Sequence, residues 1–309
     1  MPVPRQDDAA SRHPLALMCA GAAIIGTNGL MVRALDMPPT ASAFWRMLMA
    51  GLMLAAWAAL GPGWRRLPGP AWAWIAVPSL AFAADLWLWH RSILLVGPGL
   101  ATLLANAQVF FMALAGMAFF GERPGWRFLA GLAFAFAGLW LLLGGGWDSL
   151  PPAYRWGVWL GLGTGICYAL YNIGLRGAQA RAHVDARAAP IGQVLALSSL
   201  GAALLLGLAA VGEGTALAIP DARSLVILLV LAGVGHALSW VLISHAMPHL
   251  RVAVIGLLLL LQPVVAFVLD VWLFERATSP REWAGLALTL AGIFLAGSRA
   301  RSVDGTPPS

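Results

Sequence analysis

Few side chains of this chain can do chemistry, and most of those stand in apolar surroundings. Trp87 and Trp240 lie deep within long apolar runs, where an indole offers a face for stacking on apolar or aromatic groups, or for holding a cation. His236 comes one helical turn before Trp240, and His90 follows Trp87 by three residues, so each histidine shares a helix face with its tryptophan. A histidine in hydrocarbon needs a partner or a water-filled cavity. For all four residues two readings stay open, cavity wall or contact between helices. Arg46 and Asp85 are the charges set most firmly inside apolar runs, and their matching depth predicts an ion pair, with proton exchange at Asp85 as the sharper alternative. Asp85 is two residues from Trp87, roughly 200° round a helix, so the two cannot face one cavity squarely. Asn28, Asn106, Tyr168 and Tyr171 add polar groups within apolar runs, able to bond a ligand or one another. Gly157, Gly161 and Gly165 repeat every four residues, the spacing of closely packed membrane helices. Pro98, between two glycines, and Pro263, after Gln262, predict bends on which two helices could rock.

The elements that hold these groups follow from composition. Hydrophobic residues make up 60% of the chain and charged residues 10%, with a mean hydropathy of +0.81, too little charge to coat a soluble globule. The fold class is therefore all-α integral membrane. Apolar runs at about 14–35, 38–60, 71–95, 97–120, 128–146, 155–175, 190–211, 223–247, 251–274 and 283–298 are each near the roughly 20 residues that cross a bilayer, giving ten transmembrane helices. Polar tails at 1–13 and 299–309 and a proline-containing loop at 147–154 divide the chain into 14–146 and 155–298.

All 19 basic residues are arginine, scattered through loops rather than gathered in a stripe, so they read as topology signals and not as a nucleic-acid surface. Arg65, Arg66, Arg123, Arg127, Arg176, Arg181 and Arg187 all fall on the side of the N-terminus, which places both termini in the cytoplasm of an inner-membrane protein. Cys19 and Cys167 lie in apolar helices and imply neither a disulfide framework nor a metal site. There is no H-E-x-x-H pattern, and His245 and His249 straddle Pro248 at a helix end, so no metal, cofactor or enzyme is expected.

The chain also repeats itself. The shift that lays Trp87 on Trp240 lays Glu122 on Glu275, and one residue more lays Gly131–Leu141 on Gly285–Leu295 as G-L-A-x-x-x-A-G-x-x-L. Copies of five helices enter the membrane from opposite sides, which makes the halves inverted repeats. Such a pair shows one site to both sides of a membrane when the halves exchange conformations, so duplication points to alternating-access transport. Trp87, Gly121-Glu122-Arg123 and the paired G-L-A helices resemble the EamA branch of the drug/metabolite transporter superfamily over about residues 15–298. The resemblance implies a carrier with a central cavity lined by both halves. It also implies export, of amino acids including aromatic ones, or else of sugars, drugs and other metabolites. An intramembrane enzyme or a channel is the rival class.

Overall fold

The computed structural model describes residues 6–61, 63–121, 125–143, 150–184, 187–188, 190–273 and 278–297. Glu122, Arg123, Glu275 and Arg276, the acidic-basic pairs of the repeated loops, lie outside the described residues, as do 1–5 and 298–309 of the tails. The chain runs through α1 (His13–Arg33), α2 (Pro39–Leu60), α3 (Gly69–Val96), α4 (Pro98–Phe119), α5 (Trp126–Leu143), α6 (Pro152–Arg181), α7 (Ile191–Gly212), α8 (Ala222–His249), α9 (Val254–Leu273) and α10 (Pro280–Gly297). Among the described residues eight of these, all but α5 and α10, are long and apolar enough to cross a membrane. The two others are 18 residues each. Between α6 and α7, His183–Val184 pairs antiparallel with Arg187–Ala188 in a small hairpin.

Proline sets many of the starts. Pro39, Pro98, Pro152 and Pro280 each open a helix, where a missing N–H costs nothing and the fixed φ favours the first turn. Pro98 therefore begins α4 instead of bending it. Gly97, at φ +84, is the whole connection between α3 and α4, a backbone angle that a side chain would strain. The breaks lie elsewhere. The α4 ladder is interrupted at Asn106–Ala107 and that of α9 at Leu259–Leu260, positions related by the shift that relates the two tryptophans. Pro263 follows the α9 break within one turn, where its lack of an N–H fits a ladder already interrupted. In α8, residues Gly233–Leu238 form a π-helical turn, which α3 lacks.

Contacts between the halves pair α1 with α8, α2 with α7, α3 with α6, α4 with α9 and α5 with α10. Exchanging the halves maps this set of pairs onto itself. Each pair runs antiparallel: along α2 and α7, for example, Phe44 meets Gly207, Gly51 meets Leu200 and Trp57 meets Gly192. The repeated glycines explain the tightest crossing. A Cβ on Gly138 would stand 2.5 Å from the Gly285 carbonyl oxygen of α10, and one on Gly292 would stand 2.5 Å from the Gly131 carbonyl oxygen of α5. Each copy of the G-L-A-x-x-x-A-G motif thus docks backbone on backbone against the other. Gly138→Ala and Gly292→Ala should each destabilise the protein by about 1–3 kcal/mol, the usual cost of overpacking. Thermal unfolding in detergent reads this, and an unchanged midpoint in both variants would show that the crossing has slack.

Candidate binding cavity

The cavity forms where the broken and π-helical segments meet. Its walls are Ile25 and Asn28 of α1, Arg46 of α2, Phe82, Asp85, Leu86 and Trp89 of α3, and Thr102 and Ala105 of α4. From the other half come Thr164 and Tyr168 of α6, Trp240 of α8 and Gln262 of α9. Its volume is about 30 Å³. None of these residues exceeds 9% exposure, so the space lies within the bundle.

Phe82, Asp85, Leu86 and Trp89 occupy i, i+3, i+4 and i+7 of α3, one face of a regular helix. An aromatic group closes the space on the side of α6 and α8. Tyr171 stacks on Phe82 with centroids 4.1 Å apart, and Trp240 meets Tyr171 edge-on at 4.5 Å and Tyr168 at 6.0 Å. Such offset and edge-to-face contacts fix ring positions in a close-packed wall. Gln262 donates to the Tyr168 hydroxyl at 2.8 Å and so holds that ring from α9.

Several polar atoms around the space are buried with no hydrogen-bond partner: Nε and Nη1 of Arg46, Oδ1 of Asp85, Oδ1 of Asn28, Oγ1 of Thr102 and Nε1 of Trp240. Buried polar groups are normally satisfied, so this concentration marks a place built to bond something else. The predicted Arg46–Asp85 ion pair does not form, since no nitrogen–oxygen approach within 4.0 Å joins them. Both instead face the same cavity, with the Arg46 guanidinium carbon 5.8 Å from the centre of the Trp89 ring.

The other residues singled out by the sequence divide into four groups. Asn28, Tyr168 and Trp240 line the cavity, and Tyr171 backs its wall. His236 is fully buried behind them, its Nε2 3.1 Å from Ser199 Oγ and its ring 5.3 Å from Phe82. Asn106 belongs to a chain of side-chain bonds across the α4 break: Asn172 donates to Gln108 at 3.1 Å, Gln108 to Asn106 at 3.4 Å, and Asn106 to the Thr102 carbonyl at 2.7 Å. That chain ties α6 to the break in place of facing the cavity.

Trp87 and His90 lie away from the cavity, nearer the Gly97 end. The indole of Trp87 donates to Glu213 at 2.6 Å and carries the Arg91 guanidinium over its face at 3.9 Å. His90 Nδ1 is 2.9 Å from Ser42 Oγ and 3.1 Å from the Pro39 carbonyl. The π turn explains why Trp87 and Trp240 part company. One extra residue per turn rotates everything after it by about 100° relative to a regular helix, so the direction taken by Trp240 corresponds to that of Leu86 and not Trp87. Phe82 and Trp89 were missed for the same reason, while nothing in the sequence set Thr102 and Thr164 apart from the other small polar residues of the apolar runs. The face that begins at Asp85 would have found the two aromatics on α3.

A membrane bundle folded about a buried, polar-lined cavity between two similar halves has the build of a solute carrier. A family model described as the EamA-like transporter family matches residues 14–144 and, a second time, 155–298. The chain belongs to that family and is a multi-pass membrane transporter, not an enzyme. A solved crystal structure is similar in fold, with a TM-score of 0.73 at 20% identity over 94% of this chain and 99% of that one. No curated protein matches the chain.

Proposed function

We propose that this transporter exports amino acids and related small metabolites across the inner membrane by alternating access, with both termini cytoplasmic. In this reading α5 and α10 complete ten crossings, and the halves are inverted five-helix repeats around one site. Three features support it. The equivalent helices α2 and α7, α4 and α9, and α5 and α10 pair antiparallel, as inversion requires. The breaks in α4 and α9 fall at equivalent positions beside the cavity, where carriers of this kind interrupt their helices. The observation that carries the proposal is the cavity itself, buried in the bundle, walled by both halves and rich in unpartnered polar atoms.

The test is uptake of a panel of radiolabelled amino acids into proteoliposomes. Saturable uptake, with exchange against unlabelled solute on the far side, is the expected result. Uptake that rises linearly without saturating would make the protein a channel. Movement of a sugar or a cationic drug but of no amino acid would keep the carrier and overturn the substrate.

A further inference from the structure

Among the described residues that line the cavity, Arg46 and Asp85 are the two charged ones, and no hydrogen bond or ion-pair contact joins them. Each is at most 5% exposed and each presents unpartnered atoms, two guanidinium nitrogens on one side and a carboxylate oxygen on the other. Leaving a buried charge without a partner is costly, and placing two opposite charges in one small space without joining them is costlier than pairing them. Trp89 lines the same space. It stands one turn along α3 from Asp85, and the Arg46 guanidinium leans toward its ring.

The neutral groups sort in the same way. Asn28 donates its Nδ2 to the Gly235 carbonyl at 2.9 Å, which fixes the amide so that the free atom, Oδ1, is an acceptor. Trp240 Nε1 is a free donor on the wall formed by the other half. The cavity therefore offers free acceptors on Asp85 and Asn28, free donors on Arg46 and Trp240, and the Thr102 hydroxyl, which can do either. The same walls include the apolar and aromatic surfaces of Ile25, Phe82 and Leu86.

We infer that Arg46 and Asp85 together recognise a zwitterion, Arg46 taking a carboxylate and Asp85 the ammonium group attached a carbon away. This rests on the carrier reading given above and assigns the recognition of the substrate's main chain to these two residues. A substrate with only one of the two charges leaves the other residue buried and unpaired, so discrimination comes from what is left unsatisfied as much as from what is bonded.

The decisive measurement is calorimetric binding to the wild-type protein in detergent with two matched ligand sets. One is L-phenylalanine, 2-phenylethylamine and 3-phenylpropanoate, and the other is L-alanine, ethylamine and propanoate. A side chain too large for the space silences one set without touching the other. In whichever set binds, the zwitterion should exceed each singly charged analogue by at least about tenfold, the scale set by leaving one buried polar partner unmatched. Asp85→Asn should then reverse the order in favour of the carboxylate analogue, and Arg46→Gln in favour of the amine. Arg46→Lys, which keeps the charge, should keep the preference for the zwitterion.

Equal binding of a singly charged analogue to the wild type overturns the inference, and so does an equal loss of all three ligands in each variant. Variants that fail to fold leave the wild-type comparison to decide. Failure of both sets, in a protein that still shows saturable uptake of some other solute, sinks the zwitterion and spares the carrier. If no small solute moves in proteoliposomes at all, the carrier reading fails and the inference with it.

Discussion

Trp240→Ala is expected to abolish saturable uptake, while Trp87→Ala retains most of it, although the sequence places these two residues at equivalent positions. Trp240 is 1% exposed and joins Phe82, Tyr168 and Tyr171 into one wall of the cavity. Truncating an indole packed in this way costs about 3–5 kcal/mol and leaves a hole where the wall stood. Trp87 has its indole at the Gly97 end, against Arg91 and Glu213, and takes no part in the wall. Because Trp240→Ala can fail through instability alone, Trp240→Phe is the deciding variant. It keeps most of the ring and removes the free Nε1 donor, so a folded protein with weakened substrate affinity separates a binding role from a packing one. Unimpaired uptake in Trp240→Ala, or loss confined to Trp87→Ala, would move the site away from the cavity between α3, α6 and α8.

What the sequence made legible and what it hid are both visible in that pair. Helix positions and the duplication follow from composition and from the recurring G-L-A-x-x-x-A-G motif, because hydrocarbon thickness and close helix crossing leave few solutions. Asn28, Arg46, Asp85, Tyr168 and Trp240 could be picked out as polar or aromatic groups in apolar runs, and all five line the cavity. Facing direction was harder. A repeat aligns residue numbers, and one π turn at Gly233–Leu238 is enough to turn equal numbers to different faces. The Arg46–Asp85 contact failed as an expectation for a related reason: depth along the membrane was readable, but the direction of the Arg46 side chain, toward the Trp89 ring, was not. Pro98 looked like a hinge because it sits in an apolar run, whereas the turn made by Gly97 lets it open a new helix. The actual breaks, at Asn106–Ala107 and Leu259–Leu260, carry no shared residue type that would announce them.

Neutralising Glu213 is expected to unlock the Gly97 end of the bundle. Glu213, just past the end of α7, binds three groups of the first half: Thr40 Oγ1 donates at 2.7 Å, Trp87 Nε1 at 2.6 Å and Arg91 Nη2 at 2.6 Å. At the same end Arg33 of α1 meets Asp270 of α9 at 3.4 Å, so both of these ion pairs bridge the two halves. Alternating access requires such bridges to break in one state and form in the other. Arg91 and Glu213 are each partly exposed, which screens their attraction, so removing the charge should cost the closed state about 1–2 kcal/mol, roughly 5- to 30-fold in the opening equilibrium. Thr102→Cys, in a background with Cys19 and Cys167 replaced by serine, reports the opening through its rate of labelling by a membrane-impermeant thiol reagent. Glu213→Gln should raise that rate, and the exchange Arg91→Glu with Glu213→Arg should return it toward the starting value. Acid should act like Glu213→Gln. Partial burial by itself would raise the Glu213 carboxyl, but the bonds from Thr40 and Trp87 and the charge of Arg91 outweigh it and hold the group below its ordinary value. A carboxyl lowered in the closed state stabilises that state fully above its ordinary value, about 4.3, and loses the contribution as pH falls through the lowered one. Labelling of the Thr102→Cys protein, expressed relative to a small free thiol at the same pH so that the loss of thiolate cancels, should therefore climb as the pH at the Gly97 end falls below the ordinary carboxylate range, and Glu213→Gln should flatten the climb. A labelling rate indifferent both to Glu213→Gln and to pH would mean that this end is held shut by packing alone.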